Sequence, residues 1–417
     1  MNTMFNVREE FLVFGSPRIE ADEIEEVADC LRSGWIGTGP RVAQFEQMFM
    51  DYIGSGYAIA LNSCTAGLHL GLKVAGISQG DEVITSPMTF GATANVIVNQ
   101  GAIPVFVDIN RETQNIDPEK IEQKITSRTR AILPVHMAGR PCNMDEILRI
   151  ARKHNLVIIE DAAHALESKY KGRKIGAIGD LTAFSFYVTK NLTTGEGGMV
   201  TTKNEEWADR INTLRLHGLS KGAWKRYSSE KFLHYQVLDP GFKYNMMDIQ
   251  AAIGIKQLAK IENYWQRRNQ IWAMYDVSFQ NMPVQIPAPV SDDMKHACHL
   301  YTLLLDVDRL KCSRDEFQQA LYELNIGTGI HFVSLHLHPY YQNRFGFRHD
   351  DFPEADYVSE RTISLPLSAK LTDVDVADVI QAVKYTLKKY RKKEWFYSGF
   401  KFTKKEKIEK EKKVLVR

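Results

Sequence analysis

Apolar residues recur along this chain in two alternating rhythms. Between residues 57 and 216, short apolar runs alternate with longer segments whose apolar positions return every three or four residues. The short runs predict strands at 57–61, 82–85, 103–107, 131–135, 156–160, 183–186 and 199–202. The longer segments predict helices at 65–74, 91–99, 118–125, 145–153 and 205–216. An earlier helix is expected at 21–32, where an acidic first turn suits the positive helix N-terminus and Ser33-Gly34 ends it. From about 249 the pattern becomes helical (249–261, then a longer charged stretch), with mixed α+β signals to about 387.

Alternation of this kind predicts an α/β protein with a mostly parallel sheet covered by helices on both faces. No period typical of repeat architectures is visible. Ligands of open parallel sheets gather beyond the C-terminal ends of the strands. That rule singles out Asn62-Ser63-Cys64-Thr65, Ser86-Pro87-Met88-Thr89-Phe90, His136, Asp161-Ala162-Ala163-His164, and Ser185 followed by Lys190.

Three of these positions suggest chemistry. Small residues from Ser63 to Gly67, between a strand and a helix, leave backbone N–H groups free for a phosphate, although a plain helix cap reads the same way. Asp161 directly follows an apolar strand, so its carboxylate needs a positive partner or several donors to stay ionised; capping the next helix is the bland alternative. Lys190 lies in a loop after a buried strand, just before Gly195-Glu196-Gly197-Gly198, where desolvation would free its amine as a nucleophile. A phosphate cradle, a buried carboxylate and a lysine together are what pyridoxal phosphate requires, and Phe90 could stack on its ring.

With these residues in place, the sequence closely resembles the DegT/DnrJ/EryC1/StrS aminotransferases. The resemblance runs from about Phe14 to about Tyr385. It is carried by Ser33-Gly34-Trp35-Ile36-Gly37-Thr38-Gly39-Pro40, Gly80-Asp81-Glu82-Val83-Ile84-Thr85, Glu160-Asp161-Ala162-Ala163-His164-Ala165, Glu196-Gly197-Gly198, Gly241-Phe242-Lys243-Tyr244-Asn245 and His331-Phe332. It implies a fold type I (aspartate aminotransferase-like) pyridoxal-phosphate enzyme that acts as a homodimer with shared active sites. Lys190 would then bond the cofactor aldehyde and move a proton as base and acid, Asp161 would pair with the pyridine nitrogen, and His164 would meet the ring hydroxyl. Cys64, Thr65 and Ser185 would hold the phosphate, and Asn245 would reach the phosphate bound by the neighbouring subunit. Cys64 stands where many members have Gly or Ala, and Tyr187 where close relatives have His. Some relatives replace the lysine with His and become dehydratases, so Lys190 favours transamination.

The reaction implied moves an amino group from an amino acid, L-glutamate as in the family, to a nucleotide-linked 4-keto sugar. The motif wording is most similar to enzymes making UDP-4-amino-4-deoxy-L-arabinose, with pseudaminic-acid-pathway transaminases next. The alternatives are amination of a 3-keto sugar and, in a different class, a non-catalytic cofactor-sensing protein; loss of Lys190 or Asp161 would mark the latter, and both are present. Family analogy also places Tyr187, Arg215, His217, His331, His336 and Tyr340 near substrate, although Arg215 and His217 could equally form a salt-bridged helix end. The cluster His331, His336 and His338 lacks a carboxylate or cysteine at ligand spacing, so no metal is expected.

Composition, 44% hydrophobic and 25% charged over 417 residues, is that of a soluble globular protein. Placing the charge along the chain changes the picture. The formal net charge of +2 hides a segment from Lys388 to Arg417 with 13 basic and 4 acidic residues. Residues 1–387 therefore carry 40 basic and 47 acidic side chains, which argues against a nucleic-acid-binding body. The expected organisation is 1–250 as N-terminal segment and large cofactor-binding domain, 251–387 as a small C-terminal domain, and 388–417 as a basic tail. Aromatics interleave with lysines in that tail, so a weak contact with an anionic membrane surface is considered beside a merely solvated extension. Five cysteines without a CxxC pair, no signal-like N-terminus and no long apolar run point to a reducing cytoplasm.

Overall fold

The computed structural model describes residues 7–220 and 235–392. The expected basic tail at 388–417 therefore lies outside the described residues beyond Lys392, whereas Lys388–Tyr390 complete the last helix. In chain order the first part contains α1 (Ala21–Arg32), α2 (Pro40–Ile53), β1 (Tyr57–Leu61), α3 (Cys64–Val74), β2 (Glu82–Thr85), α4 (Gly91–Asn99), β3 (Ile103–Phe106), β4 (Thr129–Leu133), α5 (Met144–His154) and β5 (Val157–Asp161). Then come β6 (Lys169–Tyr170), β7 (Arg173–Lys174), β8 (Leu181–Ser185), β9 (Gly198–Thr202) and α6 (Glu205–Leu214). The rest comprises α7 (Asp248–Phe279), β10 (Val284–Gln285), β11 (Met294–Lys295), β12 (Tyr301–Leu305), α8 (Arg314–Glu323), α9 (Pro339–Phe345), α10 (Pro353–Arg361), β13 (Thr362–Leu365) and α11 (Asp373–Tyr390).

The main sheet has seven strands in the order β1-β9-β8-β5-β4-β2-β3. Only β9 runs against the others; it pairs antiparallel with both β1 and β8, while β8, β5, β4, β2 and β3 are parallel. All seven expected strands exist, shifted by two residues at most. Two expectations fail locally. The helix at 118–125 is two 3-10 turns, because Pro118 opens it, Asp117 caps it, and only Ile121 is drawn into the core. The expected 249–261 helix continues without a break to Phe279. Helix α2 was unassigned, although Val42, Phe45, Phe49 and Ile53 mark one buried face at helical spacing.

The sheet divides two cores. On one side Phe49 of α2 packs edge-on against Phe184 and Phe186 and Phe45 lies tilted against Phe186, with α5 and the start of α7. On the other, α3 lies flat on β8 and β9; a Cβ at Gly67 would come within 2.8 Å of Val200, so only glycine permits this approach. A third core gathers α7, α8, α11 and the β10-β12-β13 sheet around Tyr275, Tyr301 and Phe317. Leu12 joins that third core through a bridge to Ile326, and residue 250 lies in the first turn of α7. Among the described residues no helix is long and apolar enough to cross a membrane.

Candidate active site

Strand β5 carries Asp161 to the C-terminal edge of the sheet, where the side chain is buried at 6% exposure. Thr93, one turn into α4, donates to its Oδ2 at 2.8 Å, and the Ala163 N–H donates to Oδ1 at 3.1 Å. Burial pushes this carboxyl above its ordinary range, and Thr93, the Ala163 N–H and Lys190 pull the other way. A carboxylate offers about four acceptor positions, so room remains for one more donor, preferably cationic.

Lys190 sits in the turn that follows β8, its N–H bonded to the Tyr187 carbonyl at 2.9 Å. Desolvation pulls its ammonium down to about 8, against the attraction of Asp161; the Cys64 thiol lies nearby. Burial raises that thiol in turn, so Cys64 is a neutral neighbour. A buried carboxyl shifted up beside a lysine shifted down is the electrostatic mark of a reactive site.

The register of the sheet brings the third component alongside. Ser185 faces Gly198 across the β8–β9 pair. A Cβ at Gly198 would lie 2.4 Å from the Ser63 carbonyl carbon, so β9 presses directly on the start of α3. Ser63 caps that helix through Ala66 N–H at 3.1 Å, and the N–H groups of Cys64 and Thr65 have no intrahelical partner. Ser185 and the positive helix end thus form one anion cradle.

Three histidines close the site beside Lys190. His164, on the turn after β5, accepts the Ala138 N–H at Nδ1 and lies 4.5 Å, ring to ring, from His299. His331 bonds Ser364 through Nδ1 at 2.8 Å and is pushed down to about 4 by burial and by Lys190. Burial and the same lysine hold His164 and His299 neutral. Phe90, 67% exposed at the N-cap of α4, faces an open cleft of about 760 Å³ that is also lined by Asn95, Phe332, His338 and Tyr340. Tyr187 is exposed in the lysine-bearing turn.

Two of the expected substrate contacts, Arg215 and His336, are corrected, and the surroundings of His217 and Asn245 are defined. Arg215 reaches Glu46 at 2.5 Å and the Ala60 carbonyl at 2.7 Å, so its charge is committed to closing α6 against β1. His336 is fully buried, with Nε2 2.9 Å from Asp356 and the ring against Phe352; it belongs to a satellite core. His217 is exposed in a left-handed turn and bonds Phe242 through its backbone. Asn245 bonds Thr38 and Lys243 of its own chain, beside the end of β1. Sequence reasoning gave no role to Thr93, Asn191, Glu167, Arg268 or His299, and met Phe332 only within the His331-Phe332 motif. Thr93 also meets the Thr89 hydroxyl, from the residue before the N-cap of α4, at 2.8 Å.

The sheet order, the lysine-bearing turn and the cradle define a fold type I pyridoxal-phosphate-dependent transferase. Residues 17–384 match the family model, and the chain belongs to the DegT/DnrJ/EryC1/StrS aminotransferase family. It is 57% identical over 378 residues to MJ1066 of Methanocaldococcus jannaschii, covering 91% of this chain and 98% of that one. It is 51% identical to the spore coat polysaccharide biosynthesis protein SpsC of Bacillus subtilis, covering 92% and 99%. Among solved structures, the putative sugar aminotransferase Spr1654 of Streptococcus pneumoniae in its PMP form superposes with a TM-score of 0.85 at 36% identity, covering 91% and 98%. Helicobacter pylori PseC, an aminotransferase of pseudoaminic acid biosynthesis, gives 0.85 at 28% identity, covering 92% and 100%. The expectation of a pyridoxal-phosphate-dependent sugar aminotransferase stands at this level, and the non-catalytic alternative falls.

Proposed function

We propose that this enzyme transfers an amino group from L-glutamate to the C4 carbonyl of a nucleotide-linked keto sugar, giving an amino sugar for surface polysaccharide. The observation that carries the reading is Lys190, shifted down to about 8 between a buried carboxylate and a helix-end anion cradle. The likeness to SpsC and PseC supports a sugar as acceptor.

The donor set fits pyridoxal phosphate: free N–H groups at Cys64 and Thr65, the Ser185 hydroxyl, and a carboxylate with acceptor capacity to spare. When bound, that group supplies an aldehyde to carry the amino group and a ring to take up an electron pair. Lys190 would hold the aldehyde and, when free of it, would move a proton off the carbon that loses the amino group and onto the carbon that gains it. Its lowered pKa keeps both directions accessible near neutrality, and positioned proton transfer contributes roughly 10²–10⁴-fold in rate. Asp161 would keep a proton on the ring nitrogen, and His164, with Nδ1 occupied, would offer Nε2–H to the ring oxygen. Phe90 would cover one ring face, and Tyr187, His331 and Tyr340 would face the sugar.

The active unit in this reading is a homodimer in which Asn245 serves the neighbouring site. Exposed Ile36 and Met247 flank the Thr38–Asn245 bond and give that strip an apolar surface for a second copy. Light scattering at micromolar concentration tests the dimer. The basic tail adds a weak hold on anionic membranes; a chain lacking residues 393–417 should no longer sediment with phosphatidylserine vesicles while keeping full turnover. The reaction itself is tested by incubating the enzyme with L-glutamate and a panel of nucleotide-linked 4-keto and 3-keto sugars. Formation of the 4-amino sugar together with 2-oxoglutarate is expected, and failure to aminate any 4-keto member overturns the assignment.

A further inference from the structure

A chain of buried polar groups leads from α7 to the reactive lysine. Arg268, 3% exposed, donates to Oε1 of Glu167, which is fully buried. Oε2 of Glu167 accepts from Nδ2 of Asn191, the residue after Lys190, at 2.8 Å. The same Nδ2 donates to the Ala297 carbonyl at 3.1 Å. Both partners of that amide nitrogen are acceptors only, so its two hydrogens are assigned and Asn191 cannot be turned over. Oδ1 of Asn191 is therefore an acceptor, and it faces Nδ1 of His299 at 2.8 Å. The proton of His299 must be on Nδ1.

A neutral imidazole with its proton on Nδ1 has a bare lone pair on Nε2. Burial and the nearby Lys190 keep His299 neutral. No protein group bonds that Nε2 among the described residues. The neighbouring His164 is set the other way, because it accepts the Ala138 N–H at Nδ1 and carries its proton on Nε2. Two imidazoles 4.5 Å apart thus offer opposite functions, a donor on His164 and an acceptor on His299.

We propose that His299 is a further substrate-binding residue whose bare Nε2 accepts a hydrogen bond from a hydroxyl of the sugar beside Lys190, with Asn191, Glu167 and Arg268 as positioning residues that hold its tautomer. The identity of the donor rests on the sugar reading above; the tautomer does not. A sugar is the substrate that brings neutral hydroxyl donors to this point, and a neutral acceptor meets them without drawing a proton away from Lys190. The Arg268–Glu167 pair is charge-balanced, so it fixes the amide without adding a net charge beside the lysine.

Nitrogen NMR of the holoenzyme labelled with ¹⁵N-histidine, with His299 assigned by comparison with His299→Gln, reads the tautomer directly. A pyridine-type Nε2 is expected, and a pyrrole-type Nε2 overturns the proposal. Glu167→Gln is expected to let Asn191 turn over and to move His299 toward the pyrrole-type signal. An unchanged signal there overturns the positioning role.

The second arm separates the half-reactions by stopped-flow absorbance, with L-glutamate in one and UDP-linked or dTDP-linked 4-keto-6-deoxyhexose in the other. His299→Gln should slow the sugar half-reaction on the order of tenfold and raise the sugar concentration for half-saturation, leaving the glutamate half-reaction within about twofold. Equal loss in both halves, or loss in neither, removes His299 from the sugar site. If the wild-type enzyme aminates neither sugar, the sugar reading fails, and with it the hydroxyl as donor, while the NMR arm still decides the tautomer.

Discussion

Thr93 donates its hydroxyl proton to Asp161 at 2.8 Å, one of two hydrogen bonds that hold a carboxylate buried at the end of β5. Hydrogen bonds to charged groups are worth about 1.5–3 kcal/mol, and here the bond opposes the upward pull of burial. Thr93→Val keeps the shape and removes the donor. Asp161 is then more often protonated near neutral pH and meets the ring nitrogen less well. Cofactor affinity, measured by absorbance titration into stripped enzyme, should fall about tenfold, with Thr93→Ser close to wild type. An unaltered affinity in Thr93→Val would remove Thr93 from the site.

Lys190 gives a pH signature with a definite sign. In the unfolded chain its ammonium persists to the ordinary 10.5, whereas in the cofactor-free fold the proton leaves near 8. Between those values the unfolded state binds more protons, so stability rises with pH there. Below pH 8 both states are charged and the full desolvation penalty is present. Lys190→Met should therefore raise the Tm of the cofactor-free protein at pH 7, and the gain should shrink as pH approaches 10.5. Wild-type loading with pyridoxal phosphate should accelerate through a midpoint near pH 8. A midpoint near 10.5 would mean that the lysine is not desolvated.

Arg215 ties Glu46 and the Ala60 carbonyl together, and Glu46 also accepts the Ala60 N–H at 2.8 Å. Removing the guanidinium leaves a half-buried carboxylate and a carbonyl short of a donor. Arg215→Met should cost about 1–3 kcal/mol in urea denaturation and leave the KM for sugar within twofold. A large KM change with unchanged stability would return Arg215 to the substrate site.

The parts of this site that could be read from sequence are those whose chemistry lies within one strand-to-helix junction. Asp161, Lys190 and the Ser63–Thr65 turn each follow an apolar strand, and the ligand-binding rule for parallel sheets points at them. What was illegible is what arrives from elsewhere. Arg268 comes from the middle of α7, 78 positions after Lys190, and His299 from the residues before β12, 109 positions after it, and both reach the lysine-bearing turn only through tertiary packing. His336 misled because family analogy placed its segment near substrate, whereas the ring is buried in a satellite core with Nε2 2.9 Å from Asp356, twenty positions on. The 118–125 segment had helical periodicity but only Ile121 reaches the core, too little apolar face to hold a full α-helix.

Gly198 supplies the strongest test of the anion cradle. A methyl group there would stand 2.4 Å from the Ser63 carbonyl carbon and 2.5 Å from the Cys64 nitrogen, and backbone atoms cannot step aside as a flexible side chain can. Gly198→Ala must therefore push the start of α3 away from β9, displacing the N–H groups of Cys64 and Thr65 while Asp161, held by Thr93, stays in place. The strain should lower stability by about 1–3 kcal/mol. The diagnostic reading compares pyridoxal phosphate with pyridoxal, which lacks the phosphate. In the wild type the phosphate should strengthen binding greatly; in Gly198→Ala that advantage should shrink at least tenfold, with pyridoxal itself little affected. Equal weakening of both ligands would indicate general damage to the sheet. An undiminished phosphate advantage would mean that the phosphate is held elsewhere, and the helix end would lose its assigned role.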